Sequence, residues 1–200
     1  MVRRIGPAVA AATAALFLAL PAQAHLLLGP EELVQADSVN IDVPGYSVPS
    51  FAPWDADSLP DLIVGEGSGS FPQSKVRVYR NVGSAGDPVF EGYVYAQSDS
   101  ADLVVAGSGC LGAFPRQVCS RATPTVVDWN SDGMKDLVVG ALDGRVHLFL
   151  NAGADTAPDF VATAYAQEDG SDLVVPSLRS SPHVLDCDHD GRKDLLSGNT

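Results

Sequence analysis

One segment of this sequence occurs twice, and no other feature constrains the fold as much. The segment Pro124–Gly140 recurs at Pro182–Gly198, with its aspartates and glycines in corresponding places. A weaker copy lies upstream at Pro49–Gly65. Because self-similarity at a regular spacing is the signature of repeat architectures, we expect the chain to fold as successive copies of one small unit.

The similarity continues beyond these segments. The stretch Asn81–Val105 aligns onto Asn151–Val175 without a gap. The spacing from Asp61 to Asp136 is longer than the spacing from Asp136 to Asp194. The first unit therefore contains insertions that the second unit lacks.

Apolar residues in the second unit come in short runs separated by turns, not at helical spacing. A unit of four short antiparallel strands that recurs in this way is typical of a β-propeller blade. A β-sandwich with an internal duplication is the alternative. The four strands that we expect in the second unit are Thr125–Trp129, Asp136–Gly140, Val146–Leu150 and Phe160–Tyr165.

An acidic loop joins the first two of these strands. Oxygen-bearing side chains occupy its positions one, three, five and nine, and the glycine at position six allows a sharp turn. This spacing surrounds one hard cation with oxygens, and calcium accepts such loose geometry better than magnesium does. The predicted ligands are the side chains of Asp128, Asn130, Asp132 and Asp136 and the backbone carbonyl of Met134.

The other two copies of the loop differ in quality. The third copy offers four carboxylates, from Asp186, Asp188, Asp190 and Asp194, with the carbonyl of Arg192 as a further ligand. In the first copy, Pro53 replaces the first ligand and Ser58 replaces the glycine, which predicts a weak or empty site formed by Asp55, Asp57, Asp61 and the carbonyl of Leu59. Ordinary acidic turns without metal are the alternative, because Asp, Asn and Gly favour turns by themselves.

These loops carry a family resemblance. The pattern Asp-x-Asp/Asn-x-Asp-Gly-x-x-Asp, followed by an apolar strand, resembles the FG-GAP/VCBS repeats of integrin-type propellers and of many exported bacterial proteins. EF-hand and dockerin loops share the spacing but continue into a helix, whereas Leu137-Val-Val139 reads as strand. The resemblance implies an all-β partial β-propeller of four-stranded antiparallel blades, about two and a half in number, with calcium in a mainly structural role.

The opening of the chain resembles the end of a unit. Ile41–Pro44 followed by Pro49 is similar to Leu173–Pro176 followed by Pro182. We therefore expect residues 33–48 to be the tail of a blade whose earlier strands are absent. Because a closed propeller needs at least four blades, we expect a truncated gene product. Several chains joining to close a ring is the alternative.

The first residues are typical of a secretory signal peptide. Arg3 and Arg4 precede an apolar run, and the small residues Ala22 and Ala24 follow it. The run has about a dozen residues, whereas a membrane span needs about 20. We expect cleavage before His25, no later membrane span, and a protein that is secreted, either extracellular or periplasmic.

Together these features predict five segments. They are a signal peptide (1–24), an N-terminal segment with the last strand of an incomplete blade (25–48), a first repeat with an insertion (49–123), a second repeat (124–181) and a truncated third repeat (182–200).

Charge and cysteine content restrict the partners and the chemistry. The net charge is −13, and the 12 basic residues form no cluster, so we expect no nucleic-acid partner and favour divalent cations. Cys110 and Cys119 lie in the insertion of the first unit and are expected to form a disulfide after export, with two free thiols as the alternative. Cys187 remains without an assigned role.

The sequence carries no common catalytic motif. It has no Gly-x-Ser-x-Gly and no His-Glu-x-x-His, and we expect its four histidines to be surface or packing residues. Trp54 and Trp129 occupy equivalent positions and are expected to pack between blades. The sequence therefore predicts a non-catalytic, secreted, calcium-binding module that binds a carbohydrate or an extracellular protein. A fragment of a larger exported hydrolase or lyase active on polysaccharides, and a purely structural domain, are the alternatives.

Overall fold

The computed structural model describes residues 32–68, 73–106, 120–176 and 178–199. The chain divides into two compact parts, Met1–Glu32 and Leu33–Thr200. Every strand of the described residues lies in Leu33–Thr200, which contains all of the repeat units. These residues contain no helix. All of their strand pairs are antiparallel, so the all-β prediction is confirmed.

The strands follow the repeats. The N-terminal hairpin and the first unit contain β1 Gln35–Ala36, β2 Val39–Asn40, β3 Val48–Ala52, β4 Asp61–Gly65, β5 Gly67–Ser68, β6 Gln73–Tyr79, β7 Val94–Tyr95, β8 Gln97–Ser98, β9 Ala101–Asp102 and β10 Val104–Ala106. The second and third units contain β11 Ser120–Val127, β12 Asp136–Ala141, β13 Val146–Asn151, β14 Phe160–Tyr165, β15 Gln167–Glu168, β16 Ser171–Asp172, β17 Ser180–Leu185 and β18 Asp194–Asn199.

Each complete unit forms a four-stranded antiparallel meander. In the second unit the order is β14-β13-β12-β11. The first unit has the order β6-β4-β3, and its outer strand is split into β7 and β10, which both pair with β6. The third unit contributes the two-stranded sheet β17-β18. This arrangement agrees with a partial propeller whose blades do not close into a ring.

The strand predictions for the second unit hold within one residue except for the first strand. That strand was predicted at Thr125–Trp129 but runs over Ser120–Val127. It ends earlier because the backbone N–H of Trp129 donates to the Asp136 carboxylate instead of to a neighbouring strand. It begins earlier because Ser120 and Arg121 pair with β5 of the preceding unit.

Neighbouring residues of each central strand belong to different hydrophobic clusters. Leu137 and Val139 of β12 pack in a cluster shared with the first unit, whereas Val138 packs with Val184 and Leu195 of the third unit. A strand alternates its side chains between two faces, so the sheet of the second unit is covered on both sides, by the first unit and by the third. This stacking explains why the central strands are continuous apolar runs.

The glycine that ends the repeated motif marks a close approach between units. A Cβ atom at Gly140 would lie 2.3 Å from the backbone oxygen of Ser180, in the first strand of the third unit. A Cβ atom at the equivalent Gly65 would lie 2.0 Å from the backbone oxygen of Ala122. The first strand of the next unit therefore crosses where a side chain is missing.

A tight hairpin recurs three times among the described residues, each time as a separate two-stranded sheet. Its strands are β1-β2, β8-β9 and β15-β16, and each pairs a glutamine with an asparagine or aspartate across the hairpin. Both turn residues of each hairpin have positive φ, for example Asp99 (51°) and Ser100 (61°). Residues 35–40 therefore have the same hairpin conformation as residues 97–102 and 167–172. That they form the tail of a preceding blade stays a prediction.

Two predictions concern residues outside the described ranges. The signal peptide of residues 1–24 and the pair Cys110 and Cys119 both lie there. Cys187 lies within the described residues and is an exposed free thiol. No helix among the described residues could cross a membrane.

Candidate metal centres

The side-chain oxygens of the second acidic loop bend the backbone around themselves. The N–H of Gly133 donates to Asp128 Oδ2 at 3.1 Å, and the N–H of Asp132 donates to Asn130 Oδ1 at 3.0 Å. The N–H of Met134 donates to Asp132 Oδ1, and this bond holds the pKa of Asp132 below its usual value. The loop therefore exists as a defined turn that presents carboxylate and amide oxygens.

The same turn occurs in all three loops. The sixth residue has positive φ in each, with 90° at Gly133, 85° at Gly191 and 65° at Ser58. Serine thus adopts the glycine conformation in the first loop, although this region is unfavourable for a residue with a Cβ atom. The bond from the seventh to the fifth residue is also shared, at 2.8 Å from Leu59 to Asp57, from Met134 to Asp132 and from Arg192 to Asp190.

The aspartate at position nine has a different environment from the other predicted ligands. Asp136 is fully buried. Its Oδ2 accepts the N–H of Trp129 at 2.8 Å, and its Oδ1 accepts the N–H of Asn151 at 2.8 Å. Asp61 is also fully buried and accepts the corresponding bonds, from Trp54 at 2.7 Å and Asn81 at 2.8 Å. This carboxylate therefore fixes the loop to the third strand of its unit.

Two asparagines complete this arrangement, and reasoning from the acidic pattern alone missed them. Asn151 Oδ1 accepts the N–H groups of Gly153 and Asp159. Asn81 Oδ1 accepts the equivalent pair, Gly83 and Val89. Each asparagine begins one of the two long stretches that align without a gap, so the repeat itself carried the signal.

The third loop brings carboxylates together. Asp186, Asp188 and Asp194 each offer an oxygen, and these oxygens lie within 4.8 Å of one another. The fourth predicted carboxylate, Asp190, is not part of this group and accepts the N–H of Arg192. Asp194 accepts the N–H of Cys187 at 2.9 Å, as the position-nine residue does in the other loops.

The second loop contains an enclosed oxygen without a hydrogen bond. Asp128 Oδ1 is buried and accepts no hydrogen bond. A buried carboxylate oxygen in this state is costly unless a cation compensates it. Lys193 Nζ lies 3.9 Å away, beyond hydrogen-bond distance, so Asp128 Oδ1 retains the capacity to bind a cation.

Comparison with known families gives a match over these loops. Residues 128–197 match the FG-GAP-like repeat. The chain carries an FG-GAP-like repeat. Comparisons with curated proteins and with solved structures gave no match.

The matched FG-GAP-like repeat runs from the first residue of the second loop to the last strand of the third unit. It therefore contains both loops with a complete set of predicted ligands. The first loop lies outside the match. Its Asp55 accepts the N–H of Asp57 and lies 4.0 Å from Arg80. Among the described residues, neither the first nor the second loop brings three acidic, cysteine or histidine side chains together, whereas the third loop does.

Proposed function

We propose that this chain is a secreted, calcium-binding, non-catalytic module of the FG-GAP type that binds a carbohydrate or an extracellular protein. Calcium would be held by the ten predicted residues of the second and third loops. The weak first loop, with Asp55, Asp57, Leu59 and Asp61, would contribute little.

The convergence of three carboxylates in the third loop carries the calcium part of the proposal. Asp186, Asp188 and Asp194 present oxygens within 4.8 Å of one another. Negative charges at this distance repel each other, and a cation between them offsets the repulsion. All of the ligands are oxygens, which suits calcium, whereas zinc and iron prefer nitrogen or sulfur donors.

A bound calcium ion would supply positive charge that offsets these carboxylates. The chain's own residues perform the remaining tasks. The turn bonds of the loop orient the oxygens, the glycines Gly133 and Gly191 permit the sharp bend, and the position-nine aspartates fix each loop to its blade. Because the ion would bind the folded state and not the unfolded state, its binding would stabilise the fold.

The partner-binding part of the proposal is supported by a groove. The first strands of the three units line a cavity of about 430 Å³. Equivalent positions in these strands place Phe51, Val126 and Val184 along it, and the Phe51 side chain is 60 % exposed. Val126 and Val184 are half-buried, so the concave shape and the one exposed aromatic side chain are what support an interaction site here.

The non-catalytic part is supported by the surroundings of His147. This ring contacts the Tyr165 ring edge-on at 4.8 Å and stacks on Phe149 at 5.9 Å. Burial lowers the pKa of His147. These ring contacts favour a packing role for His147.

Thermal unfolding in calcium and in EDTA tests the calcium part. We expect saturating calcium to stabilise the purified chain by roughly 3 kcal/mol at a hundredfold excess over the dissociation constant, and we expect equal magnesium to have a smaller effect. The variant with Asp128→Asn and Asp186→Asn should lose most of the calcium response. A midpoint that is the same in calcium and EDTA would contradict the proposal.

Binding assays test the partner, and an activity assay tests the alternative. Binding to a glycan array or to extracellular matrix proteins should disappear with chelator. Cleavage of a polysaccharide that persists after Asp128→Ala and Asp186→Ala would instead support the enzyme fragment.

A further inference from the structure

A lysine of the third loop reaches into the second loop. Lys193 occupies position eight of the third loop, and its Nζ donates to Ser131 Oγ at 2.9 Å and to the backbone oxygen of Trp129 at 3.5 Å. The same Nζ lies 3.9 Å from Asp128 Oδ1. All three partners belong to the second loop.

The oxygen that Lys193 approaches is the enclosed Asp128 Oδ1, which accepts no hydrogen bond. About one third of each of the two side chains is exposed, so solvent screens their attraction only in part. The ammonium group therefore offsets charge on the same atom that a calcium ion would bind.

The preceding pair of loops has a related contact with a different target. Lys135, at position eight of the second loop, donates from Nζ to the backbone oxygen of Asp55 at 2.5 Å and lies 3.4 Å from the carboxylate of Asp155. Position eight of the first loop is Pro60, which has no charge. Thus each position-eight lysine touches the loop before its own, but Lys193 alone of the two approaches a predicted ligand carboxylate.

We propose that Lys193 lowers the calcium affinity of the second loop. This inference rests on the proposed function. An ion bound at Asp128 meets the ammonium group as a like charge, or must displace it, and either event costs binding free energy. The third loop has four carboxylates and the second has three with one amide. The third loop therefore fills with calcium first, and Lys193 widens the interval before the second loop fills.

Calorimetry on variants with a disabled third loop isolates this effect. In a chain that carries Asp188→Asn and Asp190→Asn, the remaining strong site is the second loop. Adding Lys193→Gln should tighten its calcium affinity by roughly threefold to fivefold, from the size of a partly screened charge interaction. Lys193→Met should act in the same direction, which guards against an effect particular to glutamine.

Two controls separate this local effect from net charge and from misfolding. Lys193→Arg keeps the charge and should leave the affinity within about twofold. Lys75→Gln removes the same charge from β6, where Lys75 pairs with Asp102 at 2.7 Å, and should also have little effect. Circular dichroism verifies that each variant is folded.

The outcomes are distinguishable. Unchanged or weaker calcium binding in both Lys193→Gln and Lys193→Met would overturn this inference while leaving the proposed function intact. Absence of calcium binding in the unaltered chain would overturn both.

Discussion

At the residue scale, the acidic loops combine two roles that the sequence pattern does not separate. Positions one, three and five lie in the turn of the loop. The aspartate at position nine is instead fully buried in the first two loops. Asp136 accepts backbone hydrogen bonds on both carboxylate oxygens. Asp61 does the same in the first loop, even though Pro53 replaces the first ligand there. The ninth aspartate is thus explained by the fold even without metal.

This role predicts that Asp136→Asn destabilises the chain in the absence of calcium. The amide nitrogen of asparagine cannot accept one of the two N–H groups, so a buried donor loses its partner, at a cost of roughly 1–3 kcal/mol. Urea unfolding in EDTA measures this loss in the free energy of unfolding. Asp132→Asn is the matched control, because an exposed amide oxygen can still accept the N–H of Met134. Equal stability of the two variants would contradict the structural role.

Sequence reasoning at this scale found the ligand-type residues but not their supports. Spacing alone identified the acidic positions. It did not identify Asn151, whose Oδ1 closes the turn after the third strand, because this residue lies outside the acidic spacing; only its repetition at Asn81 signals it. It also could not foresee the contact between Lys193 and Asp128, since the two residues are far apart in sequence and meet only when the units stack.

At the element scale, the local sequence pattern predicted three of the four strands of the second unit correctly. It gave the wrong bounds for the first strand of that unit, β11. The failed strand depends on pairing of Ser120 and Arg121 with Gly67–Ser68 of the preceding unit, and local periodicity carries no information about such a contact. The recurring hairpins were missed for a different reason. Their strands have only two residues each and are polar and exposed, as in Gln167–Glu168 and Ser171–Asp172, so no apolar alternation marks them.

The close approach at the motif glycine gives a prediction for this scale. Gly140→Ala would place a methyl group 2.3 Å from the Ser180 oxygen, so the two strands must separate, at a cost of about 2 kcal/mol or more. Gly198→Ala changes the equivalent residue of the third unit, where no heavy atom lies within 4 Å among the described residues, and should cost less than about 0.5 kcal/mol. Denaturant unfolding compares them. Similar losses for both variants would show that strand crossing is not the cause.

At the scale of the whole molecule, each unit depends on its neighbours. One hydrophobic cluster joins the first and second units and includes Trp54, which packs against Phe160 with ring centroids 5.4 Å apart. A second joins the second and third units and includes Trp129 at its edge. The two tryptophans therefore pack between neighbouring blades, as the sequence indicated. Stacked units of this kind gain much of their stability from interfaces.

The number of calcium ions bound per chain tests the account most directly. Isothermal titration of the purified chain with calcium should give two ions, one for the second loop and one for the third, with a weak first loop adding little heat. The variant with Asp186→Asn and Asp188→Asn should bind one. An unaltered chain that releases no heat up to millimolar calcium, or a variant that still binds two ions, would contradict it.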